Sequence, residues 1–195
     1  GNEGKVGRAL VMYGPRGEKA VQGSAEHMLG NMPMMVIVRE VPTSMRGSIS
    51  YQEADVVGIT QPISKWSYQR RRAEDIPWAV ARAFYIASSG RPGPVVLDIT
   101  KDAQNGMLEY AYKKATFIRS YQPKPDIKLS EIEIAAKMIN EAKKPLALVG
   151  QGVILGGAEK ELLDFIEKTG IPAASTILGL SAIPTDHPLN VGMLG

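Results

Sequence analysis

The chain of 195 residues contains no cysteine. That excludes disulfides, thiolate metal sites and cysteine nucleophiles, and it is compatible with a reducing cytosol. Histidine is nearly as scarce, with only His27 and His187. Neither stands in a pattern with an acidic or serine partner, so both read as structural residues. No H-x-x-E-H or carboxylate cluster points to a metal ligand set. Long apolar runs are missing too: residues 32–38 form one of the longest, far short of the roughly 20 residues a membrane helix needs. No charged-then-apolar leader opens the sequence, and a cytoplasmic location with no membrane partner is the expectation.

What is present is ordinary for a soluble globular protein. Hydrophobic residues make up 44%, charged residues 22% and aromatics 6%, which excludes collagen-like, mucin-like and broadly disordered chains. The net charge of +3 and a pI near 9.1 come from dispersed lysines and arginines, and only Arg70-Arg71-Arg72 forms a run. A nucleic-acid binder would show a clustered basic face, so this run reads as a solvated patch on a loop and no nucleic-acid partner is expected. The length corresponds to about one and a half domains of roughly 100–200 residues.

Along the chain, short β-rich runs alternate with amphipathic helical stretches, the pattern of a parallel α/β sheet. Residues 6–13 read as a strand stopped by Gly14-Pro15, and residues 17–29 as a helix. Residues 33–41 are almost continuously apolar, as in a strand buried on both faces. A polar loop at 42–52 is followed by a helix carrying Ile76, Val80, Ala83, Phe84 and Ala87 on one face, with Asp75 as its cap and Pro77 in its first turn. Residues 94–99 form another buried strand. Between 105 and 128 the periodicity disappears: Tyr110, Tyr112 and Tyr121 lie among lysines and prolines, as in an interdomain connection whose tyrosines dock on a surface. The βα pattern then restarts. Ser130 and Glu133 make a capping box, Leu129 staples against Ile134, and Ile132, Ala135, Ala136 and Ile139 form an inward face. Strands at 146–149 and 171–177 flank a helix with Ala158, Leu162, Phe165 and Ile166, closed by Gly170. The expected fold is therefore α/β, two incomplete parallel-sheet (Rossmann-like, three-layer) domains at 1–104 and 129–195, joined by a linker at 105–128.

Several segments suit ligands. Gly150-Gln151-Gly152 with Gly156-Gly157 joins a strand to a helix, where a nucleotide can approach backbone closely. The spacing is not the full dinucleotide fingerprint, and a tight turn of small residues is the other explanation. Arg91, in Ser89-Gly90-Arg91-Pro92-Gly93-Pro94, is either part of a stiff turn or an arginine held for an anionic or flat aromatic ligand. Lys101 and Asp102 follow a strand at its C-terminal end, where open α/β sheets bind ligands, although a solvated lysine is just as typical there. The loop containing Gln52 is long for a bare connection, and Gln52 either caps a helix or hydrogen-bonds a cofactor or substrate.

Specific blocks carry a resemblance. VPTSM at 41–45 with Gly47 and QEAD at 52–55 resemble the large subunits of acetolactate synthases, also called acetohydroxyacid synthases. So do EDIP at 74–77, AFYIASSGRPGPVVLDITKDAQ at 83–104, GQGVILGGAE at 150–159 and ILGLSAIPTDHPLNVGMLG at 177–195. The blocks fall in family order and spacing over nearly the whole chain. The family uses thiamine diphosphate, Mg²⁺ and FAD, decarboxylates pyruvate, and joins the two-carbon fragment to a second 2-keto acid on the way to branched-chain amino acids. It has three α/β domains. This chain resembles the later part of the pyrimidine-binding domain, the linker, and the opening of the central FAD-carrying domain.

The resemblance assigns roles residue by residue. Gln52 matches a glutamine lining the thiamine site, and Tyr51 stands where the family has phenylalanine. Lys101 matches a lysine at the mouth of the substrate channel. Arg91 matches an arginine packed by the FAD, and Gly150, Gln151 and Gly152 match the glycine turn that approaches it. Thr176, Ile177 and Leu178 match a further contact stretch, and Met193 and Leu194 stand just before another. In the family pattern the activating glutamate lies upstream of residue 1 and the Mg²⁺-diphosphate segment beyond residue 195, so the isolated chain is expected to turn over little or nothing. Pyruvate and a second 2-keto acid are the implied partners. A homodimer is implied for the full-length form, and a regulatory small subunit is a further partner the resemblance allows. Departures concentrate in residues 8–51: Arg16 replaces a glycine, and Arg8 falls on a strand expected to be apolar. The alternative reading is a truncated or redesigned non-catalytic α/β module with residual FAD binding.

Overall fold

Seven consecutive buried residues make Pro94–Thr100 the inner strand of a four-stranded parallel sheet. In this computed structural model, which describes residues 5–12, 19–45, 47 and 54–194, its neighbours are β1 (Gly7–Met12), β2 (Met34–Glu40) and β3 (Trp66–Arg70). With Pro94–Thr100 as β4, the order is β1-β2-β4-β3. Parallel strands need crossovers, and here they use both faces. Helices α1 (Lys19–Leu29) and α2 (Val56–Thr60) cover Val36, Val38 and Val96, while α3 (Ile76–Ser88) covers Met35, Val95, Leu97 and Ile99. A short α4 (Lys101–Asn105) follows β4 directly. This first unit is Gly1–Pro125.

The helical face expected around Ile76 exists. Ala79, Ala83, Ile86 and Ala87 are buried, and Val80 and Phe84 pack beside them. Asp75, however, makes no capping bond to the helix. Its carboxylate lies 3.7 Å from Arg70 Nη1, because the arginine at the end of β3 outcompetes the helix for it. Strand β3 and helix α2 have no counterpart in the sequence pattern, and Arg70 consequently ends a strand rather than lying on a loop. Arg8 is exposed on the edge strand β1, so a charge there meets water rather than a core.

The segment after α4 lacks helix and ladder except for an isolated bridge between Ile118 and Tyr121. Tyr121 docks as the composition suggested. Its hydroxyl accepts from Lys65 Nζ at 2.8 Å and lies 2.9 Å from Ser89 O, and its ring meets Tyr85 edge-on at 6.1 Å. Lys65 also donates to the carbonyls of Ile86 and Ser89 at the C-terminal end of α3, where a cation complements the helix dipole. Tyr110, by contrast, is exposed. Gly90, at φ +61°, lies under the same segment, and a Cβ there would come within 2.8 Å of Pro123 O.

The second unit, Asp126–Gly195, holds α5 (Leu129–Glu141), β5 (Ala147–Val149), α6 (Gly152–Gly156), α7 (Glu159–Thr169), β6 (Ala173–Ser175) and β7 (Asn190–Met193). Its strands are parallel and run in chain order, β5-β6-β7. One core joins Val149, Ile166, Ala173, Ala182 and Ile183, and Gly170 closes α7 at φ +68° as expected. Two expectations fail at α5. The helix begins at Leu129, which places Ser130 inside its first turn, and Lys128 at the N-cap position makes no side-chain cap bond. The face meant to point inward is not buried, with Ile132 53% exposed. Helical periodicity records which residues share a stripe; it does not supply the surface that covers the stripe.

Candidate functional site

The winding of the first unit reverses next to β4. Crossovers through α1 and α2 step outward from β1 to β2 to the far edge at β3, and α3 then returns over the opposite face to insert β4 beside β2. Crevices of this kind, at the C-terminal ends of strands, are where open α/β sheets bind ligands. There the turn at Thr43–Met45 meets the start of α4, and Thr43 N donates to Asp102 Oδ1 at 3.2 Å. Partial burial pushes the Asp102 carboxyl up, but hydrogen bonds from Thr100 and Thr43 and from its own backbone N–H outweigh it and hold the pKa at about 2. Asp102 is therefore ionised throughout the neutral range.

Lys101, the first residue of α4, is half-buried beside this pair and makes no ion pair with a described carboxylate. Below it the sheet carries a polar layer that the sequence pattern did not single out. Glu40, Asp98 and Thr100 are all buried; Glu40 Oε1 accepts from Val41 N at 2.8 Å, and Asp98 Oδ2 accepts from Gln69 Nε2. The register pairs Glu40 with Thr100 and Gln69 with Asp98, so these side chains share one face. The available signal was a carboxylate in each of two otherwise apolar strand runs. Tyr51 and Gln52 lie outside the described residues.

Arg91 does not join this site. It precedes β4, whereas Lys101 follows it, and seven strand residues at about 3.3 Å each separate them by about 20 Å. The Arg91 guanidinium donates to the Asn31 side chain, beside the end of α1. That partner lies 60 residues away in sequence, and no local pattern points to it.

In the second unit, three segments singled out from the sequence converge on the C-terminal edge of one sheet. Gly150, Gln151 and Gly152 follow β5, Thr176, Ile177 and Leu178 follow β6, and Met193 and Leu194 end β7. Backbone bonds tie them together: Thr176 N donates to Val149 O at 2.8 Å and Leu194 N to Ser175 O at 3.0 Å. Gly179 packs so tightly on the first turn that a Cβ would approach Val149 O to 2.5 Å. Around Gly152, Gly156 and Gly157, by contrast, a Cβ would meet nothing within 4 Å. The same turn is thus closed on one side and bare backbone on the other, a surface against which a flat ligand can lie.

Both histidines are engaged in local structure. His27 Nδ1 is 2.7 Å from Gly23 O within α1. His187 Nδ1 accepts from Leu189 N at 3.2 Å, and its other nitrogen lies 3.3 Å from Glu167 Oε1. Among the described residues no three His, Asp or Glu side chains gather as a metal site, and no helix is long and apolar enough to cross a membrane.

Known proteins similar in sequence are found for nearly the whole chain. Residues 132–195 match the family described as thiamine pyrophosphate enzyme, central domain. The acetolactate synthase large subunit of Corynebacterium glutamicum is 40% identical over 192 residues, covering 98% of this chain and 31% of that protein. The isozyme 3 large subunit of Escherichia coli is 38% identical over 194 residues, covering 98% and 34%. A probable large subunit from Methanocaldococcus jannaschii is 37% identical over 195 residues, covering 98% and 33%. The chain thus spans about a third of the length of these relatives, and over that third it is similar to acetolactate synthase large subunits at 37–40% identity.

Proposed function

We propose that the chain contributes two ligand-binding edges to an acetolactate synthase, which decarboxylates pyruvate and joins the two-carbon fragment to a second 2-keto acid. In this reading residues 1–104 belong to the pyrimidine-binding domain. Gln52 and Tyr51 orient thiamine diphosphate and substrate, and Lys101 draws the keto-acid carboxylate to the strand ends. Thiamine diphosphate supplies the carbanion chemistry when bound; the residues of this chain supply position and charge. Mg²⁺ has no candidate ligand set among the described residues, and no step is assigned to it.

Residues 129–195 hold FAD in this reading. The observation that carries the assignment is the convergence of Gly150–Gly152, Thr176–Leu178 and Met193–Leu194 on one sheet edge, beside open backbone. Backbone N–H groups there would hold a flat or phosphate-bearing ligand without side chains in the way. Arg91, in the first unit, has a planar guanidinium suited by its chemistry to a flat aromatic or anionic ligand. Assembly as a homodimer, a regulatory small subunit and a cytoplasmic location complete the proposal.

Flavin binding by the full chain is the decisive experiment. Titration of FAD should give saturable quenching of flavin emission, and Gly152→Trp, placed in open space, should abolish it while leaving the circular dichroism spectrum intact. If neither FAD emission nor thermal stability changes at high flavin concentration, the flavin assignment is wrong. Acetolactate production by the chain alone would overturn the division of labour.

A further inference from the structure

The arginine run is built into the fold. Arg70 closes β3, the edge strand of the first sheet, and Arg71 and Arg72 lead through the turn Ala73–Asp75 into α3. A cleft of about 470 Å³ opens here, lined by Ser67, Gln69, Asp75 and all three arginines. Its carboxylates do not balance its cations. Arg72 Nε pairs with Glu74 at 3.4 Å, and Arg70 Nη1 lies 3.7 Å from Asp75. Arg71, in contrast, has only the neutral Gln69 Oε1, at 3.2 Å, as its partner among the described residues. Arg70 Nε is buried without a hydrogen-bond partner among them.

Arg70 is also held in place. Its guanidinium stacks over the Tyr68 ring at 3.9 Å and faces the Trp78 ring at 4.5 Å. Tyr68 and Trp66 are themselves stacked at 4.7 Å. Packing of this kind fixes the planar fork of donors before a ligand binds, so less rotamer entropy is lost on binding. Planar guanidinium forks match phosphate oxygens in pairs.

We propose that this cleft is a binding site for a small phosphomonoester. The excess of arginine over carboxylate favours a dianion over the monoanionic keto acids. The volume falls within the range of about 300–1,000 Å³ typical of small-molecule sites, larger than a bare anion needs, and the Tyr68 ring provides a wall for the body of the ligand. A fourth cation, Arg82, lies over the same Trp78 ring at 4.3 Å, so a nucleic-acid strand is the rival occupant that the experiment must separate from a phosphomonoester. The cleft is lined by residues of the first unit alone, so it does not depend on the function proposed above.

The protein carries its own reporter. Its two tryptophans, Trp66 and Trp78, stand 6.4 Å apart in this aromatic cluster, so tryptophan emission reads the site directly. The full chain is titrated with glucose 6-phosphate at fixed ionic strength, with glucose and pyruvate as comparison probes. Glucose 6-phosphate should give a saturable emission change with a midpoint in the millimolar range, glucose none, and pyruvate binding at least about tenfold weaker. Arg71→Gln with Arg72→Gln, both exposed, should weaken glucose 6-phosphate binding about tenfold with unchanged circular dichroism. A linear response, equal responses to glucose and its phosphate, or full affinity in the double variant would each overturn the proposal. Binding of an oligo(dT) strand about tenfold tighter than glucose 6-phosphate, falling steeply with salt, would overturn it in favour of a polymer surface.

Discussion

All seven residues of β4 are buried, whereas of the three residues of β5 only Val149 is. Both strands are parallel members of α/β sheets, and both precede a short helix at a proposed ligand edge. The difference is cover. The first sheet has helices on both faces, and the second gathers its core cluster on one face, with Ala174 the one buried strand residue on the other. Leu148, on the other face, is 65% exposed, and α5 carries Leu129, Ile134 and Met138 in contact with solvent. A parallel strand is stable when both of its faces are buried, so the first unit holds its ligand edge on a rigid sheet while the second holds its edge on a thin one. Binding at the second edge should therefore stabilise its own unit more visibly, through the mass-action link between ligand and fold.

The largest effect that tests this contrast is a matched pair of leucine truncations. Leu97 is fully buried between α3 and the sheet, so Leu97→Ala should cost about 2–5 kcal/mol. Leu148→Ala should change stability by no more than about 0.5 kcal/mol. Urea unfolding followed by tryptophan emission reports the first unit alone, since Trp66 and Trp78 both lie there. Far-UV circular dichroism reports both units. If Leu148→Ala proved as damaging as Leu97→Ala, the second sheet would be covered in solution and the contrast would fail.

How much of this was legible in the sequence follows from the same contrast. The runs at β2 and β4 are apolar on both faces and bounded by proline or a polar loop, so their burial could be read directly. Strand β3 could not: Trp-Ser-Tyr-Gln-Arg is an edge strand with every residue half-buried, and it lacks the apolar run that marks an inner strand. Helix α5 misled in the opposite way, because its stripe is real and its cover is not. At the sites, the glycine turns were legible because local backbone demands are written locally. The Arg91 bond to Asn31 and the buried Glu40 and Asp98 depend on neighbours that only the sheet order brings together.

Within the second unit, two glycines at one sheet edge separate folding from binding. Gly179→Ala should cost about 1–3 kcal/mol, since its methyl would press on the Val149 carbonyl and nothing flexible can yield. Gly152→Ala faces open space and should cost no more than about 1 kcal/mol, with its sign set by helix propensity. If FAD lies on this turn, Gly152→Ala should nonetheless weaken flavin quenching. Equal stability in the two variants would show that the turn is not packed as described.

In the first unit, the extended segment after α4 is anchored through Tyr121. Tyr121→Phe removes the hydroxyl shared by Lys65 and Ser89 but leaves Lys65 bonded to the carbonyls of Ile86 and Ser89. The expected loss is about 0.5–1.5 kcal/mol, with faster proteolytic cleavage between residues 105 and 125. Unchanged cleavage would mean that ring packing against Tyr85, and not the hydroxyl, holds the segment.

The smallest effect is acid sensitivity at Asp102. Its folded pKa of about 2 lies below the model-compound value of 3.8. The stabilisation is therefore fully present above pH 3.8 and is lost as pH falls through 2. Because the carboxylate is exposed, solvent screening reduces its contribution to below about 1 kcal/mol. Asp102→Asn should accordingly lower first-unit stability slightly at pH 6 and by a smaller amount at pH 2, as read by tryptophan emission. The second unit, read by flavin quenching, should not respond to the substitution at any pH. A loss of equal size at both pH values would place the role of Asp102 in its shape and hydrogen bonds rather than its charge.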